Sequence, residues 1–164
     1  MNKDYADFNV LSKEYAQART GYPDEVFSYL QSFLKNKKNI LLDLGCGTGI
    51  SSRQLATPET RIVGCDKALA MVAEAQKQRH EHIHYIVGDA EQLPFPKHLF
   101  DAVTCFSSFH WFATKTAGAE MKRILKKDGF VFIINKFEEK DFLYDFEKVI
   151  EQKLILALPN PHKD

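Results

Sequence analysis

Three glycines at alternate positions follow a predicted apolar strand and form the segment best suited to bind a ligand. The strand is predicted at residues 39–44, and Gly45, Gly47 and Gly49 separate it from a predicted helix at residues 50–56. Glycine is needed where a strand-to-helix turn requires a positive φ or where the backbone approaches a ligand closely. The start of the helix presents unpaired N–H groups to an anion or a carboxylate. A glycine turn alone does not identify the ligand, but it predicts where one binds.

Acidic residues end the next two predicted strands. Asp66 lies 19 residues after Gly47, where a carboxylate can accept hydrogen bonds from both hydroxyls of a ribose. Asp89 follows the third strand, where it can accept a hydrogen bond from an exocyclic adenine amine. Because open α/β sheets bind ligands outside the carboxyl ends of their strands, these groups are expected to lie together. The pattern predicts a nucleoside cofactor.

The spacing of the glycines distinguishes two kinds of nucleoside cofactor. The dinucleotide fingerprint is G-x-G-x-x-G, whereas this turn reads G-x-G-x-G, with Asp43 two residues before the first glycine. A pyrophosphate has to sit on the helix N-terminus, but a sulfonium cofactor with a methionine end has no phosphate. The spacing favours the sulfonium cofactor, and an NAD(P)-dependent oxidoreductase is the enzymatic alternative.

Alternating short apolar runs and helical patterns predict the elements that position these residues. The predicted strands are residues 39–44, 61–65, 82–87, 100–106 and 130–135, and the predicted helices between them are 50–56, 68–79 and 114–126. Such alternation is typical of an α/β, Rossmann-like parallel sheet with right-handed crossovers.

Helices are also predicted on both sides of this core. Two N-terminal helices are expected, one within residues 7–20 and one at 24–35, and an amphipathic C-terminal helix is expected at 141–158. We therefore predict a single domain over residues 1–164. It comprises N-terminal helices at 1–37, a cofactor-binding core at 38–136 and a C-terminal helix at 137–164.

Composition excludes several classes of function. The 164 residues match one domain of about 150 residues, and 45% of them are hydrophobic. Lys plus Arg and Asp plus Glu each number 22, so no overall field draws the chain to nucleic acid or anionic lipid. No apolar run approaches the roughly 20 residues that span a bilayer, and the N-terminus lacks an apolar signal core. We expect a cytoplasmic protein whose three cysteines are reduced core thiols, with no metal site.

Five segments, in order, carry a resemblance to a known family. They are LDLGCGTG at residues 42–49, GCD at 64–66, GDAEQLPF at 88–95, FDAVT at 100–104 and RILKKDGF at 123–130. Over residues 15–135 the chain resembles the class I S-adenosylmethionine-dependent methyltransferases, and more narrowly the small-molecule group called methyltransferase type 11. The resemblance implies S-adenosyl-L-methionine as cofactor and a sheet with strand order 3-2-1-4-5.

The resemblance also implies a role for each matching residue of the cofactor site. Gly45 and Gly47 approach the methionine part, Asp66 holds the ribose, and Asp89 with Ala90 frames the adenine. The resemblance also places Tyr15 and Arg19 on a leading N-terminal helix that closes over the cofactor. Arg19 would pair with the cofactor carboxylate. The expected cofactor site is completed by Asp43, Cys46, Lys67 and Ser107.

The turn after the fourth strand, FSSFHWF at residues 106–112, is the predicted acceptor side. It lacks the Asn or Asp, Pro, Pro, aromatic sequence of related enzymes that methylate nucleobase amino nitrogens, and it resembles members that act on small organic acids. His110 and Trp111 are expected in the substrate pocket. His110 is either a general base for a hydroxyl or amine acceptor or only a hydrogen-bonding group, and a carboxylate acceptor needs no base.

Other polar clusters are interpreted as structural or solvated. His80, His82 and His84 alternate before and within a predicted edge strand, where a solvated loop is favoured over a metal site. Asp101 begins the fourth strand, at the end opposite the ligand edge. The basic residues of the last core helix are predicted to form a solvated face: Lys115, Lys122, Arg123, Lys126 and Lys127.

The chain departs from the resembled family after the fifth strand. The usual fold has seven strands in the order 3-2-1-4-5-7-6, and only 28 residues follow Lys136, too few for a crossover and two more strands. We expect the last two strands to be missing, through truncation, a naturally short form or completion by a partner. The fifth strand would then be an exposed edge through which the chain self-associates.

These observations predict methyl transfer from S-adenosylmethionine to a small molecule, at an oxygen of a carboxylate or hydroxyl. The non-enzymatic alternative is a methyltransferase-like binding or regulatory module without activity of its own.

Overall fold

Six parallel strands form one sheet in the order β3-β2-β1-β4-β5-β6 in this computed structural model, which describes residues 21–34, 38–134 and 154–157. The strands are β1 (Asn39–Leu44), β2 (Thr60–Asp66), β3 (Ile83–Val87), β4 (Phe100–Phe106), β5 (Leu125–Ile134) and β6 (Leu154–Ala157). The predicted order 3-2-1-4-5 is confirmed for the first five strands. Because all pairings are parallel, the carboxyl ends of these strands meet at one edge of the sheet.

One described helix precedes β1, and the others lie between strands. The helices are α1 (Asp24–Gln31), α2 (Ile50–Leu55), α3 (Leu69–Lys77), α4 (Lys115–Ile124) and a 3₁₀-helix (Phe109–Trp111). The predicted helix at 24–35 is therefore present but ends earlier, whereas the predicted helix within 7–20, with Tyr15 and Arg19, lies outside the described residues. Within the described ranges, no helix combines the length and the apolarity needed to cross a bilayer.

Apolar side chains of alternate strand residues cover both faces of the sheet. Leu41 of β1 packs in the cluster that contains Phe27 and Leu30 of α1, whereas Leu42 packs in the opposite cluster with Met121 of α4. Since successive residues of a strand face opposite sides, β1 is buried from both directions. The carboxyl end of this rigid central strand carries the glycine turn.

β5 begins five residues earlier than the sequence predicts. Leu125 pairs with Phe100, and after a register shift Phe130 pairs with Ala102. The predicted helix at 114–126 ends at Ile124 instead, because Leu125 is buried against β4 and is only 1% exposed. Tertiary burial overrides the helical periodicity at this point.

The predicted C-terminal helix is wrong for residues 154–157. Leu154–Ala157 form β6, paired in parallel with Val131–Ile134 of β5, while residues 141–153 and 158 lie outside the described ranges. Without a partner, the outer edge of β5 would expose backbone N–H and C=O groups. The apolar run at residues 154–157 satisfies these groups by pairing with β5. The predictions of five strands and of self-association through an exposed β5 are therefore corrected, since β4 and β6 occupy both sides of β5.

Candidate functional site

The glycine turn is the centre of the site. Gly45, Gly47 and Gly49 all have positive φ, at 71°, 53° and 77°. A Cβ on Gly45 would lie 2.4 Å from the Cβ of Ser108, so this position is closed by the turn after β4. A Cβ on Gly47 would meet no atom within 4 Å. The turn thus has one face packed against the protein and one open face, at Gly47.

Asp43 supports the turn from inside the protein. Its carboxylate accepts hydrogen bonds from Ser51 Oγ (2.8 Å), Ser52 Oγ (2.6 Å) and Thr104 Oγ1 (3.1 Å). The side chain is 0% exposed, and burial raises the pKa of the carboxyl against the opposing effect of the three hydroxyls. Asp43 therefore positions the turn from its buried side, and its predicted part in the cofactor site stays a prediction.

Asp66 lies directly beside the turn, as the spacing predicts. Its Oδ2 accepts a hydrogen bond from the N–H of Gly47 at 2.8 Å, and its Oδ1 accepts one from Ala68 at 2.9 Å. Partial burial raises the pKa of this carboxyl, while the backbone donors oppose the rise. An acidic group is thereby fixed next to the open face of Gly47.

Asp89 follows the neighbouring strand and is paired with Lys67. The Nζ of Lys67 lies 2.8 Å from Asp89 Oδ2, and Asp89 Oδ1 accepts a hydrogen bond from the N–H of Glu91 at 3.0 Å. The hydrogen bond with Lys67 holds the pKa of Asp89 below its usual range. Gly88 donates its N–H to the carbonyl of Asp66, so the ends of β2 and β3 are joined. Ala90 is buried behind this loop.

Arg123 fixes the loop that carries Asp89. From α4 it donates to the carbonyls of Phe95 (2.6 Å) and Leu93 (2.9 Å) and to the carboxylate of Glu120. Glu120 in turn accepts a hydrogen bond from the N–H of Leu93 at 2.8 Å. The prediction that Arg123 belongs to a solvated face is wrong, because its guanidinium is bound by backbone carbonyls of this loop. In the sequence, the only signal for these contacts is the i, i+3 spacing of Glu120 and Arg123, which favours an ion pair on a helix.

Lys126, another member of that basic cluster, is also bound. Lys126 contacts the buried carboxylate of Asp101 at 2.9 Å, and Asp101 accepts a hydrogen bond from the N–H of Ile40 at 2.8 Å. This network lies at the amino ends of β1 and β4, so Asp101 has the structural role that its position predicts. Lys115, Lys122 and Lys127 are exposed.

The predicted acceptor turn packs against the glycine turn. Ser108 Oγ donates to the carbonyl of Leu44 at 2.8 Å, and the side chain of Phe112 lies close to Gly45. On the 3₁₀-helix, His110 is exposed and its ring centroid lies 4.9 Å from that of the half-buried Trp111. The structure thus brings His110 and Trp111 to the same edge as the glycine turn.

Ser107, which directly follows β4 in this turn, is bound by a residue that the sequence did not single out. Tyr22 Oη donates to Ser107 Oγ at 3.0 Å, across 85 positions of the chain. The sequence offers no local signal for this contact beyond the position of Tyr22 before Pro23, at the start of α1.

The cysteine side chains are buried, and two of the alternating histidines lie before the amino end of β3. All three thiols are free and buried, and burial raises the pKa of Cys65 to about 12. Cys46 contributes its backbone to the turn, but its side chain packs in a core cluster with Tyr85. His80 and His82 lie before β3, at the opposite edge of the sheet, where His82 contacts Arg61.

Comparisons with known proteins agree with this geometry. A family profile described as a methyltransferase domain matches residues 42–133. The demethylmenaquinone methyltransferase of Beutenbergia cavernae is 39% identical over 90 residues, which cover 54% of this chain and 37% of that protein. The malonyl-[acyl-carrier protein] O-methyltransferase of Herminiimonas arsenicoxydans is 32% identical over 133 residues, which cover 75% of this chain and 50% of that protein.

A solved structure shows the same fold. The YcgJ protein of Bacillus subtilis superposes with a TM-score of 0.63 and 27% identity, over 75% of this chain and 56% of that chain. The present chain spans half or less of the length of the two curated relatives named above.

Proposed function

This chain belongs to the methyltransferase domain family, and from that premise we propose that it transfers the methyl group of S-adenosylmethionine to a small acceptor molecule at an oxygen atom. The observation that carries the proposal is the open face of Gly47 beside the Asp66 carboxylate. The activity of the short chain and the identity of its acceptor are parts of this proposal.

The residues at the edge of the sheet fit the cofactor. The backbone of Gly45 and Gly47 would hold the methionine part, because a ligand can approach Gly47 without meeting a side chain. Asp66 would accept hydrogen bonds from the ribose, and the Asp89 loop would frame the adenine. Tyr15 and Arg19 stay predictions of the sequence.

The ion pair with Lys67 suits Asp89 to bind the adenine amine. Lys67 lies 2.8 Å from one carboxylate oxygen and keeps the group ionised, so that it can accept a hydrogen bond from an amine. Lys67, in turn, bridges the ends of β2 and β3 and is itself 69% exposed in its side chain. The pair defines one end of the proposed cofactor site.

When bound, S-adenosylmethionine supplies an electrophilic methyl group on a sulfonium, which becomes a neutral thioether after transfer. The protein has to align the acceptor and, for a hydroxyl acceptor, remove a proton. A ring nitrogen of His110 is the proposed base for a hydroxyl, whereas a carboxylate requires only positioning. Trp111 and Phe112 supply the apolar walls of the acceptor pocket.

The most specific part of the proposal is that the acceptor attacks the methyl group through an oxygen atom. Support comes from the turn at residues 107–112, which presents an imidazole among aromatic rings, and from a relative whose name specifies O-methyl transfer. A second relative is named for demethylmenaquinone, so a quinone-related acceptor belongs in the test.

The test is a screen for transfer of radiolabelled methyl from S-adenosylmethionine to four pools: carboxylic acids, phenols and alcohols, amines, and quinols. We expect transfer to the first or second pool. With a hydroxyl acceptor, His110→Gln should lower kcat by about 100-fold, whereas His84→Gln, an exposed histidine on β3, should not change it.

Two results would overturn the proposal in different ways. Transfer only to amines or to carbon would contradict attack through oxygen. Cofactor binding without transfer to any pool would support the non-enzymatic alternative, a binding or regulatory module.

A further inference from the structure

Tyr22 is fixed to the helix that follows the glycine turn. Its N–H donates to Gln54 Oε1 at 2.9 Å, and Gln54 Nε2 donates to its carbonyl at 2.9 Å. Two reciprocal bonds to one side-chain amide define both the position and the orientation of the Tyr22 backbone. Gln54 lies near the end of α2, the helix that begins directly after Gly49, so Tyr22 is anchored to the helix of the glycine turn.

The ring and the hydroxyl of Tyr22 reach the acceptor side. The ring centroid lies 4.9 Å from that of Phe106, the last residue of β4, and the hydroxyl donates to Ser107 Oγ at 3.0 Å. The Phe106 ring is also stacked on Phe27 of α1 at 5.4 Å. Tyr22 therefore connects α2 with Ser107 of the acceptor turn.

Ser107 has a backbone conformation that normally favours glycine. Its φ is 49°, and its N–H donates to the carbonyl of Ile134 at 2.7 Å, which ties the turn to the end of β5. A residue with a side chain is strained in this left-handed region, whereas glycine is not. A serine at such a strained position indicates that its hydroxyl is used.

We propose that Tyr22 is a positioning residue that directs the Ser107 hydroxyl towards a carboxylate oxygen of a bound ligand. The Oγ atom accepts from Tyr22 and keeps its own hydrogen for donation, so the pair presents one oriented donor at the edge of the sheet. A hydroxyl that already accepts a hydrogen bond is a stronger donor, because hydrogen bonds in a chain polarise one another.

The proposal rests on the proposed function, because it assumes that the ligands of methyl transfer bind at this edge. Two carboxylates satisfy the chemistry: that of the methionine end of the cofactor and that of an organic-acid acceptor. Ser107 directly precedes Ser108, which binds the end of β1, and it lies three residues before His110 on the proposed acceptor side.

Calorimetric titration with three probes separates these sources. The probes are S-adenosylhomocysteine, methylthioadenosine, which lacks the amino-acid carboxylate, and benzoate added to the complex with S-adenosylhomocysteine. Benzoate binding is followed by the fluorescence of Trp111, the single tryptophan of the chain. The variants are Tyr22→Phe, Ser107→Ala and the double variant. Tyr29→Phe is the matched control, because Tyr29 lies on α1 and is 49% exposed.

We expect Tyr22→Phe and Ser107→Ala each to weaken binding of one carboxylate-bearing probe by about three- to tenfold. The double variant should weaken it no more than either single change, since the two hydroxyls act as one unit. Loss confined to S-adenosylhomocysteine, with methylthioadenosine unaffected, identifies the cofactor carboxylate. Loss confined to benzoate identifies the acceptor carboxylate.

Equal affinities of the wild-type chain and both single variants for all three probes would overturn this proposal while leaving the proposed function intact. Equal loss with methylthioadenosine and S-adenosylhomocysteine would also overturn it, because the effect would then not depend on a carboxylate. A folded wild-type chain that binds none of the probes would contradict the proposed function itself.

Discussion

The hydroxyl of Tyr85 donates a hydrogen bond to the carbonyl of Gly49, at 3.3 Å, from beneath the glycine turn. The Tyr85 side chain also fills the space where a Cβ atom on either of two glycines would lie. A Cβ on Gly49 would lie 2.3 Å from its Oη, and a Cβ on Gly64 would lie 2.5 Å from its Cδ1. Tyr85 of β3 thus determines the position of a turn that belongs to β1, two strands away in the sheet.

Removing the Tyr85 hydroxyl should loosen the glycine turn. We expect Tyr85→Phe to lower the free energy of unfolding by about 1 kcal/mol, the net contribution of one hydrogen bond, because the ring itself is retained. Urea denaturation measures the change. Tyr29→Phe serves as the control, since its ring is exposed, and an equal loss in both variants would show that the contact with Gly49 contributes nothing.

Substitutions of two neighbouring glycines should separate folding from ligand binding. Gly47→Ala has space for its Cβ and should cost only about 1–2 kcal/mol, from its φ of 53°. It should nevertheless weaken binding of S-adenosylhomocysteine by more than about tenfold, because the new methyl group occupies the open face of the turn.

Gly45→Ala is the complementary change. Its Cβ would lie 2.4 Å from the Cβ of Ser108, so we expect a loss of stability of about 3 kcal/mol or more. Thermal unfolding and calorimetry of both variants give the comparison. If Gly47→Ala bound the ligand as well as the wild-type chain does, the open face would not be the binding site.

Replacing Asp43 by asparagine should preserve the fold and change its pH dependence. The amide oxygen can accept from Ser51 and Ser52, and the amide nitrogen can donate to Thr104, whose hydroxyl lies 3.3 Å from the carbonyl of Leu42. Asp43→Ala instead leaves these hydroxyls buried without their acceptor and should cost about 3 kcal/mol.

The sign of the pH effect follows from the raised pKa of Asp43. The folded state binds more protons than the unfolded state above the ordinary aspartate pKa, so the contribution of Asp43 to stability falls as pH rises through its raised pKa. Asp43→Asn should therefore gain stability relative to the wild type as pH rises above the ordinary aspartate pKa. Urea denaturation at a series of pH values measures this difference, and a difference that does not change with pH would contradict the assignment.

Arg123 should control the order of the Asp89 loop. Arg123→Ala removes the donors to the carbonyls of Leu93 and Phe95, so amide exchange over residues 89–95 should accelerate and S-adenosylhomocysteine should bind about three- to tenfold more weakly. Arg123→Lys should give exchange rates and affinities between those of the wild type and of Arg123→Ala, because an ammonium cannot make the same forked contacts.

Hydrogen exchange read by mass spectrometry reports the loop, and Lys127→Ala, an exposed change just beyond the same helix, is the control. Unchanged exchange over residues 89–95 in Arg123→Ala would show that the loop is ordered without this contact.

Local patterns predicted the central elements well. The bounds of β1 and β4 match the predicted 39–44 and 100–106, because each is a short, mostly apolar run bounded by turn residues or a change of polarity. The contact between Gly47 and Asp66 also followed from spacing, since consecutive strands of a parallel sheet place their ends together.

Contacts between distant residues were not predictable in the same way. Tyr22 and Ser107 are 85 positions apart, and Arg123 and Phe95 are 28 positions apart, so neither contact leaves a periodic signal. The burial of Asp43 depends on three hydroxyls from two elements. At residues 154–157 the apolar run suited a helix and a strand equally, and the edge of β5 decided between them.

The most direct test of the account is calorimetric titration of the chain with S-adenosylhomocysteine and, separately, with NADH. We expect S-adenosylhomocysteine to bind with a Kd on the order of 1–10 μM and NADH to bind at least about 100-fold more weakly. Asp66→Asn should weaken the binding of S-adenosylhomocysteine by about tenfold or more, whereas Asp128→Asn, at an exposed position, should not change it. A folded chain that binds NADH more tightly than S-adenosylhomocysteine, or binds neither, would contradict the account.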